Sequence, residues 1–335
     1  MAQRLLDVQN LKTTFYTVNG DVKAVDDVSF HVDEGEIVAI VGESGCGKSV
    51  TQLSIMQLVQ TPPGKIIGGK VLFDGKDLLK LKKRDMQHVR GHEISMIFQD
   101  PMTALNPVYT VGNQLMEVIK RHRKVSDMEA KEIAVKALED VMIPEPEARL
   151  KNYPFEMSGG MRQRVCIALA LAGQSKLIIA DEPTTALDVT VQAQIMELLL
   201  KLTREKNLSL IVVTHNLGLV TRYANRIYVM YAGKVIESGT SEEIIMKPQH
   251  PYTIGLLNSV PRLGKQRGER LIPIPGAPPD LANLPAYCAF LPRCPYATER
   301  CEESACPEMR KVEGKEHYAA CHLADALGKE GEAHG

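Results

Sequence analysis

The sequence predicts an α/β fold built around a mostly parallel sheet, and three observations predict it. Short apolar runs rich in branched residues recur at Val38-Ala-Ile-Val41, Leu177-Ile-Ile-Ala180 and Leu210-Ile-Val-Val213, as expected of strands buried on both faces. Helical patterns lie between them. A glycine-rich turn, Gly42-Glu-Ser-Gly-Cys-Gly-Lys-Ser49, follows the first run and precedes a helical pattern, giving the strand–loop–helix order that G-x-x-x-x-G-K-S requires.

The remaining elements follow in order. Residues 4–33 read as short strands broken by turns, with Asn19-Gly20 as a hairpin signal. Lys80–Arg84 reads as a solvated helix or turn. Ser126-Asp-Met-Glu129 reads as a capping box opening a helix with Ile133, Ala137, Leu138 and Val141 on one face, ending before Pro144. Val189–Thr203 is a second helix pattern, with Ile195, Leu198, Leu199 and Leu202 apolar. Gly233 and Gly239 punctuate further strand-like pieces. Beyond residue 245 prolines recur from Pro248 to Pro307, and periodic apolar residues are too few for a large core. The expected domains are therefore 1–245 and a loop-rich extension, 246–335.

The chain has 335 residues, a length that suggests about two domains. It is 44% hydrophobic and 24% charged, which excludes a disordered chain. Its formal net charge of −1 leaves no basic bulk to hold nucleic acid by charge alone. No apolar run approaches the ~18 residues of a membrane span, and Asp7 interrupts the place where a signal peptide would continue its apolar run. A soluble, intracellular protein is expected, working at a membrane only by docking on another subunit. Cys46 and Cys166 stand alone, while Cys288, Cys294, Cys301, Cys306 and Cys321 crowd the C-terminal segment. In a reducing cytosol such a cluster points to a metal site rather than disulfides.

The glycine-rich turn carries the first chemistry. Its glycines let backbone N–H groups of Gly42, Ser44, Gly45, Cys46 and Gly47 wrap phosphates, and the following helix start adds positive potential. Lys48 would reach the β- and γ-phosphates, Ser49 would give a hydroxyl to magnesium, and Val50 contributes only its backbone N–H. The run Leu177-Ile-Ile-Ala-Asp181-Glu182 ends in two carboxylates that a strand points in opposite directions. Asp181 would face magnesium; Glu182 would face the attacking water as general base or orienter. Ser158-Gly159-Gly160 opens another helix pattern and is a second anion site by the same physics. Two phosphate-binding helix starts in one chain imply two chains face to face, each offering Ser158-Gly159-Gly160 to the nucleotide held by the other.

These residues resemble the ATP-binding-cassette ATPases. The phosphate loop is followed in family order by Gln99 in Ile-Phe-Gln-Asp-Pro, the Ser158-Gly-Gly signature, Asp181-Glu182, Thr185-Ala-Leu-Asp188 and His215 in Val-Val-Thr-His. The resemblance implies a P-loop NTPase cassette: a RecA-like parallel sheet core, an N-terminal antiparallel β subdomain and a helical signature subdomain at about 100–170. It implies that Gln99 senses magnesium or the attacking water and couples to the transmembrane partner, and that His215 contacts the γ-phosphate. It further implies that Asp188 lies in a dimer-contacting loop and that Phe15 or Tyr16 stacks on adenine. One departure is that Met157 and Met161 flank the signature where the family usually has Leu and Gln. Met161 removes a polar side chain next to the nucleotide.

Past the cassette, His250-Pro-Tyr-Thr, Ile274-Pro-Gly-Ala-Pro-Pro and the cysteine segment resemble the extension of ATP-binding subunits from dipeptide and oligopeptide importers. Cys288, Cys294, Cys301 and Cys321 have the spacing C-x5-C-x6-C-x19-C, and four thiolates suit either zinc or an iron–sulfur cluster. The resemblance implies a [4Fe–4S] cluster on these four, with Cys306 outside the pattern; because the segment lacks a large core and shows no redox substrate site, the cluster reads as a structural staple. It also implies an ATPase that powers peptide import from the cytoplasmic face of the membrane. Its partners would be a second ATPase subunit of a different, F-type kind, two transmembrane permease subunits and an extracellular binding protein, without nucleic acid. Nickel or glutathione is the alternative cargo. A soluble cassette ATPase acting on nucleic acid or the ribosome is the remaining alternative, disfavoured by a single cassette and the absence of sustained heptads.

Overall fold

A computed structural model of the chain describes residues 3–184, 188–259, 273–312, 314 and 316–327. Thr185, Ala186 and Leu187 of the expected dimer-contacting loop lie outside the described residues. The chain divides into two units, one of residues 1–33, 37–80 and 214–335, the other of residues 34–36 and 81–213.

In the first unit, Arg4–Thr17 and Gly20–Asp33 form an antiparallel hairpin closed at Thr17 and Gly20. These are two 14-residue strands rather than the several short ones expected. The turn-like residues that break the pattern are absorbed as bulges: register shifts flank Leu11, and Asn10 and Asp27 take positive φ there, with Asn10 Nδ2 donating to Asp27 Oδ1 at 3.0 Å. Gly64–Phe73 pairs antiparallel with the first strand, and Lys76–Asp77 adds to its far side. The wholly buried strand Ile37–Val41 runs parallel to Arg226–Tyr231. Arg226–Tyr231 turns back at Ala232-Gly233 into Lys234–Thr240. The C-terminal segment continues this edge: Tyr318–Ala319 pairs antiparallel with Lys234–Thr240, and Arg310–Lys311 with Tyr318–Ala319. Helices Lys48–Ile55, Leu217–Val220, Ser241–Met246, Pro251–Asn258 and Glu299–Glu303 complete the unit.

A buried acid holds the extension in place. Glu237, on the edge strand, is fully buried. Its carboxylate accepts the N–H groups of Gln249 at 2.7 Å and His250 at 2.9 Å, and meets His317 Nε2 at 2.7 Å. A carboxylate with several hydrogen bonds is tolerated inside a protein where a bare one is not.

In the second unit, Ile94–Ile97, Leu177–Asp181 and Ser209–Thr214 are parallel, in the register Ile94–Leu177–Ser209. The last two contain buried branched runs expected from sequence, whereas Ile94–Ile97 was not among the expected runs. Helices Val111–His122, Asp127–Asp140 and Gly159–Ala172 pack on one another. Ser126 and Glu129 form the capping box, with Glu129 N–H donating to Ser126 Oγ at 3.3 Å and Ser126 N–H to Glu129 Oε2 at 2.8 Å. Leu138 and Val141 are buried as expected, while Ala130 and Ala134 rather than Ile133 and Ala137 complete the buried face. Helix Val189–Glu205 buries Ile195, Leu198, Leu199 and Leu202 as expected. Among the described residues, no helix is long and apolar enough to cross a membrane.

Candidate nucleotide site

The phosphate loop leaves the strand Ile37–Val41 and enters the helix Lys48–Ile55. Two of its glycines have no substitute. A Cβ on Gly42 would sit 2.3 Å from Met230 O, and one on Gly47 2.2 Å from Ala24 O. Gly47 is also the N-cap in a left-handed conformation, φ 104°. Gly47 makes no side-chain cap hydrogen bond there. The Lys48 ammonium folds back across the loop, donating to Gly42 O at 2.7 Å and Glu43 O at 2.9 Å. That places a buried positive charge within the cradle. Burial pushes the Cys46 thiol up, against the opposing pull of Lys48, so Cys46 contributes its backbone and no nucleophile.

The acid pair ends the strand Leu177–Asp181. Asp181 continues the strand and is buried. Glu182 breaks from it: its φ is +44°, a left-handed conformation rare for a non-glycine residue, and its N–H donates to Val213 O at 2.9 Å. Gln99, two residues beyond the strand Ile94–Ile97, donates from Nε2 to Glu182 Oε2 at 3.0 Å. Two sequence-predicted residues, each lying just beyond one of two neighbouring parallel strands, are thereby brought together.

Ser158 is the N-cap of helix Gly159–Ala172, its Oγ accepting Met161 N–H at 3.3 Å. Ser158 and Gly159 are exposed. Gly160 faces the helix Val189–Glu205, where a Cβ would lie 3.1 Å from Val191 Cγ1. Asp188 caps that helix through Val191 N–H at 3.0 Å, a role read from the sequence only as membership of a contact loop. His215 follows the strand Ser209–Thr214 and is exposed. Of the two aromatic candidates, Phe15 is packed at Gly64, its cross-strand partner, whereas Tyr16 is 50% exposed.

Sequence reasoning missed the residues that surround Glu43. Arg293 forks onto its carboxylate, Nη1 to Oε2 at 2.6 Å and Nη2 to Oε1 at 2.9 Å. Glu43 N–H donates to Tyr252 Oη at 2.7 Å. The available signal was the acid itself: a carboxylate inside an anion-binding loop needs a cation partner.

Cys288, Cys294, Cys301 and Cys321 line one small cavity, with His250 and Phe290 also on its wall. All four are free thiols. Burial raises Cys288 and Cys321 to about 11, and each also feels the charge of neighbouring cysteines. Four thiols sharing one desolvated cavity fit a thiolate-ligated group, whose positive charge would offset that cost. Among the described residues, however, no three His, Cys, Asp or Glu side chains are arranged around a single metal-ion position.

A family model described as "ABC transporter" matches residues 25–185, and another, "Oligopeptide/dipeptide transporter, C-terminal region", matches residues 236–301. The oligopeptide transport ATP-binding protein OppD of Bacillus subtilis is 54% identical over 96% of this chain and 89% of its own. The chain belongs to the ABC transporter ATP-binding family. The dipeptide transport ATP-binding protein DppD of Bacillus subtilis is 50% identical over 96% of both chains, and OppD of Salmonella typhimurium 52% over 90% of both. Among solved structures, the ATP-binding cassette MJ0796, in a dimeric post-hydrolysis state bound to ADP and Pi, superposes with a TM-score of 0.63 at 29% identity, covering 70% of this chain and 98% of its own. The cbiO1 subunit of Clostridium perfringens, part of the cbiONQ transporter complex, gives 0.62 at 27% identity, covering 72% of this chain and 90% of its own. The fold is thus the α/β P-loop cassette expected from sequence, and the chain is an ABC-type ATPase whose expected ligands are ATP and Mg2+.

Proposed function

We propose that this chain hydrolyses ATP to drive import of dipeptides or oligopeptides, as the peripheral ATPase of a membrane transporter. The observation that carries the ATPase part is the hydrogen bond from Gln99 to Glu182, on a chain that also holds Lys48 inside a phosphate loop. Peptide cargo is supported by relatives named for oligopeptide and dipeptide transport and by the match over residues 236–301. The same match favours peptides over nickel or glutathione.

In this reading Lys48 and the N–H groups of Gly42, Ser44, Gly45, Cys46, Gly47, Ser49 and Val50 bind the phosphates. Ser49, Gln99 and Asp181 would hold Mg2+, which would supply Lewis-acid charge when bound. Glu182 orients water in line with the γ-phosphorus and accepts its proton as the new P–O bond forms and the bond to the β-phosphate oxygen breaks. Gln99 fixes the Glu182 carboxylate, and His215 contacts the γ-phosphate. Tyr16, the exposed member of the aromatic pair, stacks on adenine. Ser158, Gly159 and Gly160 serve a nucleotide held by an opposing ATPase subunit, with Asp188 beside that contact. MJ0796, a dimer in its own structure, supports the two-subunit arrangement.

The partners are a second, F-type ATPase subunit, two permease subunits and an extracellular binding protein, on the cytoplasmic face of the membrane. Cys288, Cys294, Cys301 and Cys321 hold a [4Fe–4S] cluster as a structural staple, supported by their common cavity. The domain plan remains a cassette of residues 1–245 with an extension of 246–335.

The test is affinity purification of the full chain from membranes followed by reconstitution in proteoliposomes. ATP-dependent uptake of a labelled dipeptide or tetrapeptide, absent in Glu182→Gln, supports the reading. Co-purification with nucleic acid or ribosomes and no permease overturns it.

A further inference from the structure

Glu43 places a carboxylate in the phosphate loop. A carboxylate there repels a triphosphate unless it is neutralised and held away. Arg293 does both. Its planar fork makes two parallel bonds to the carboxylate, at 2.6 and 2.9 Å, the geometry that a lysine cannot reproduce. The guanidinium is itself fixed from behind, with Nε donating to Pro275 O at 2.7 Å and Nη1 to Tyr231 Oη at 3.3 Å. Its side chain is only 5% exposed.

The backbone of Glu43 is held as firmly. Its N–H is directed to Tyr252 Oη at 2.7 Å. Tyr252 is fully buried, with its ring 4.7 Å from that of Tyr231 and 5.4 Å from that of Phe290. The carbonyl of the same residue accepts from Lys48 Nζ at 2.9 Å. Side chain, N–H and carbonyl of Glu43 thus link Arg293, Tyr252 and the loop's lysine through a single residue.

We propose that Arg293 and Tyr252 are positioning residues for nucleotide binding: together they clamp Glu43 and fix the phosphate loop in its binding conformation. The proposal rests on the reading that this loop holds ATP. It gives the C-terminal extension a role in the ATPase cycle, because Arg293 is neighbour in sequence to the cavity-lining Cys294 and Phe290 touches both regions.

The test is equilibrium binding of a fluorescent ATP analogue with Mg2+ to the full chain, alongside the thermal midpoint without nucleotide. The variants are Arg293→Lys, Tyr252→Phe, Glu43→Gln and the double variant Arg293→Lys/Glu43→Gln. Each of the first two is expected to weaken binding about tenfold, the scale of a lost charge-assisted or buried hydrogen bond. The double variant is expected to bind no more weakly than its worse single, because both break one interaction. Tyr252→Phe keeps the ring and decides the matter if Arg293→Lys fails to fold. A lowered thermal midpoint with affinity within about twofold of wild type would mean a mere staple and overturn the clamp. Lys48→Ala separates the two levels. If it loses the nucleotide while the clamp variants bind normally, the clamp fails and the loop reading stands. If Lys48→Ala binds like wild type, the loop reading fails and the clamp with it.

Discussion

Gln99 Nε2 lies 3.0 Å from Glu182 Oε2, a bond between the chain leaving one parallel strand and the chain leaving its neighbour. It holds the carboxylate beside a left-handed kink of the backbone at Glu182. Because a positioned base must lie within hydrogen-bond reach of its proton, Gln99→Ala should lower kcat at least about tenfold, the scale of one lost hydrogen bond to a charged group. Steady-state kinetics of the assembled transporter would check this.

Glu182→Gln should leave ATP binding intact and slow turnover by at least ~10²-fold, the scale of general-base loss. Phosphate release under saturating ATP is the measurement. An unchanged rate would remove Glu182 from the assigned role.

Gly47→Ala should destabilise the fold by at least about 1–3 kcal/mol, the cost of forcing a side chain into a left-handed position. The added Cβ would also meet Ala24 O at 2.2 Å. Urea unfolding of the nucleotide-free chain reads this, and a shift below about 0.5 kcal/mol, the range of an ordinary surface substitution, would mean that the loop relaxes freely.

If the four cysteines hold the proposed cluster, removing any one of them should lose it. Cys288→Ser, Cys294→Ser, Cys301→Ser and Cys321→Ser are each expected to reduce iron and acid-labile sulfide in anaerobically purified protein, and Cys306→Ser to leave both unchanged. Stoichiometric zinc without sulfide in the wild-type chain would replace the cluster with a zinc site.

Cys166 should resist alkylation in the folded chain. Burial pushes its thiol up to about 12, so on the order of one molecule in ten thousand is thiolate at pH 8. Iodoacetamide labelling read by mass spectrometry should mark Cys166 only after unfolding, and rapid native labelling would contradict the packing described for helix Gly159–Ala172.

What was legible in the sequence was local. The phosphate loop, the acid pair and Ser158 each announce themselves within a few residues, because a tight turn or a helix start needs specific residue types at fixed spacing. The capping box at Ser126 and Glu129 is legible for the same reason. The first hairpin was legible as a turn at Asn19-Gly20 but not as two long strands, because Asn10 and Asp27 resemble turn residues while serving as bulges within continuous pairing. The bond between Arg293 and Glu43 joins positions 250 residues apart, and no local pattern encodes such a partner. The gathering of four cysteines around one cavity was foreshadowed by their crowding, whereas the aromatic packing of Phe290 that links their segment to Tyr252 was not.

The most direct measurement of the central claim is the structure of the Glu182→Gln transporter trapped with Mg-ATP. The account predicts a nucleotide gripped by Lys48 and the phosphate loop on this chain, and Ser158 within hydrogen-bond distance of the γ-phosphate of a second nucleotide held by the opposing ATPase subunit. ATP bound by one subunit alone, with Ser158 far from any phosphate, would contradict it.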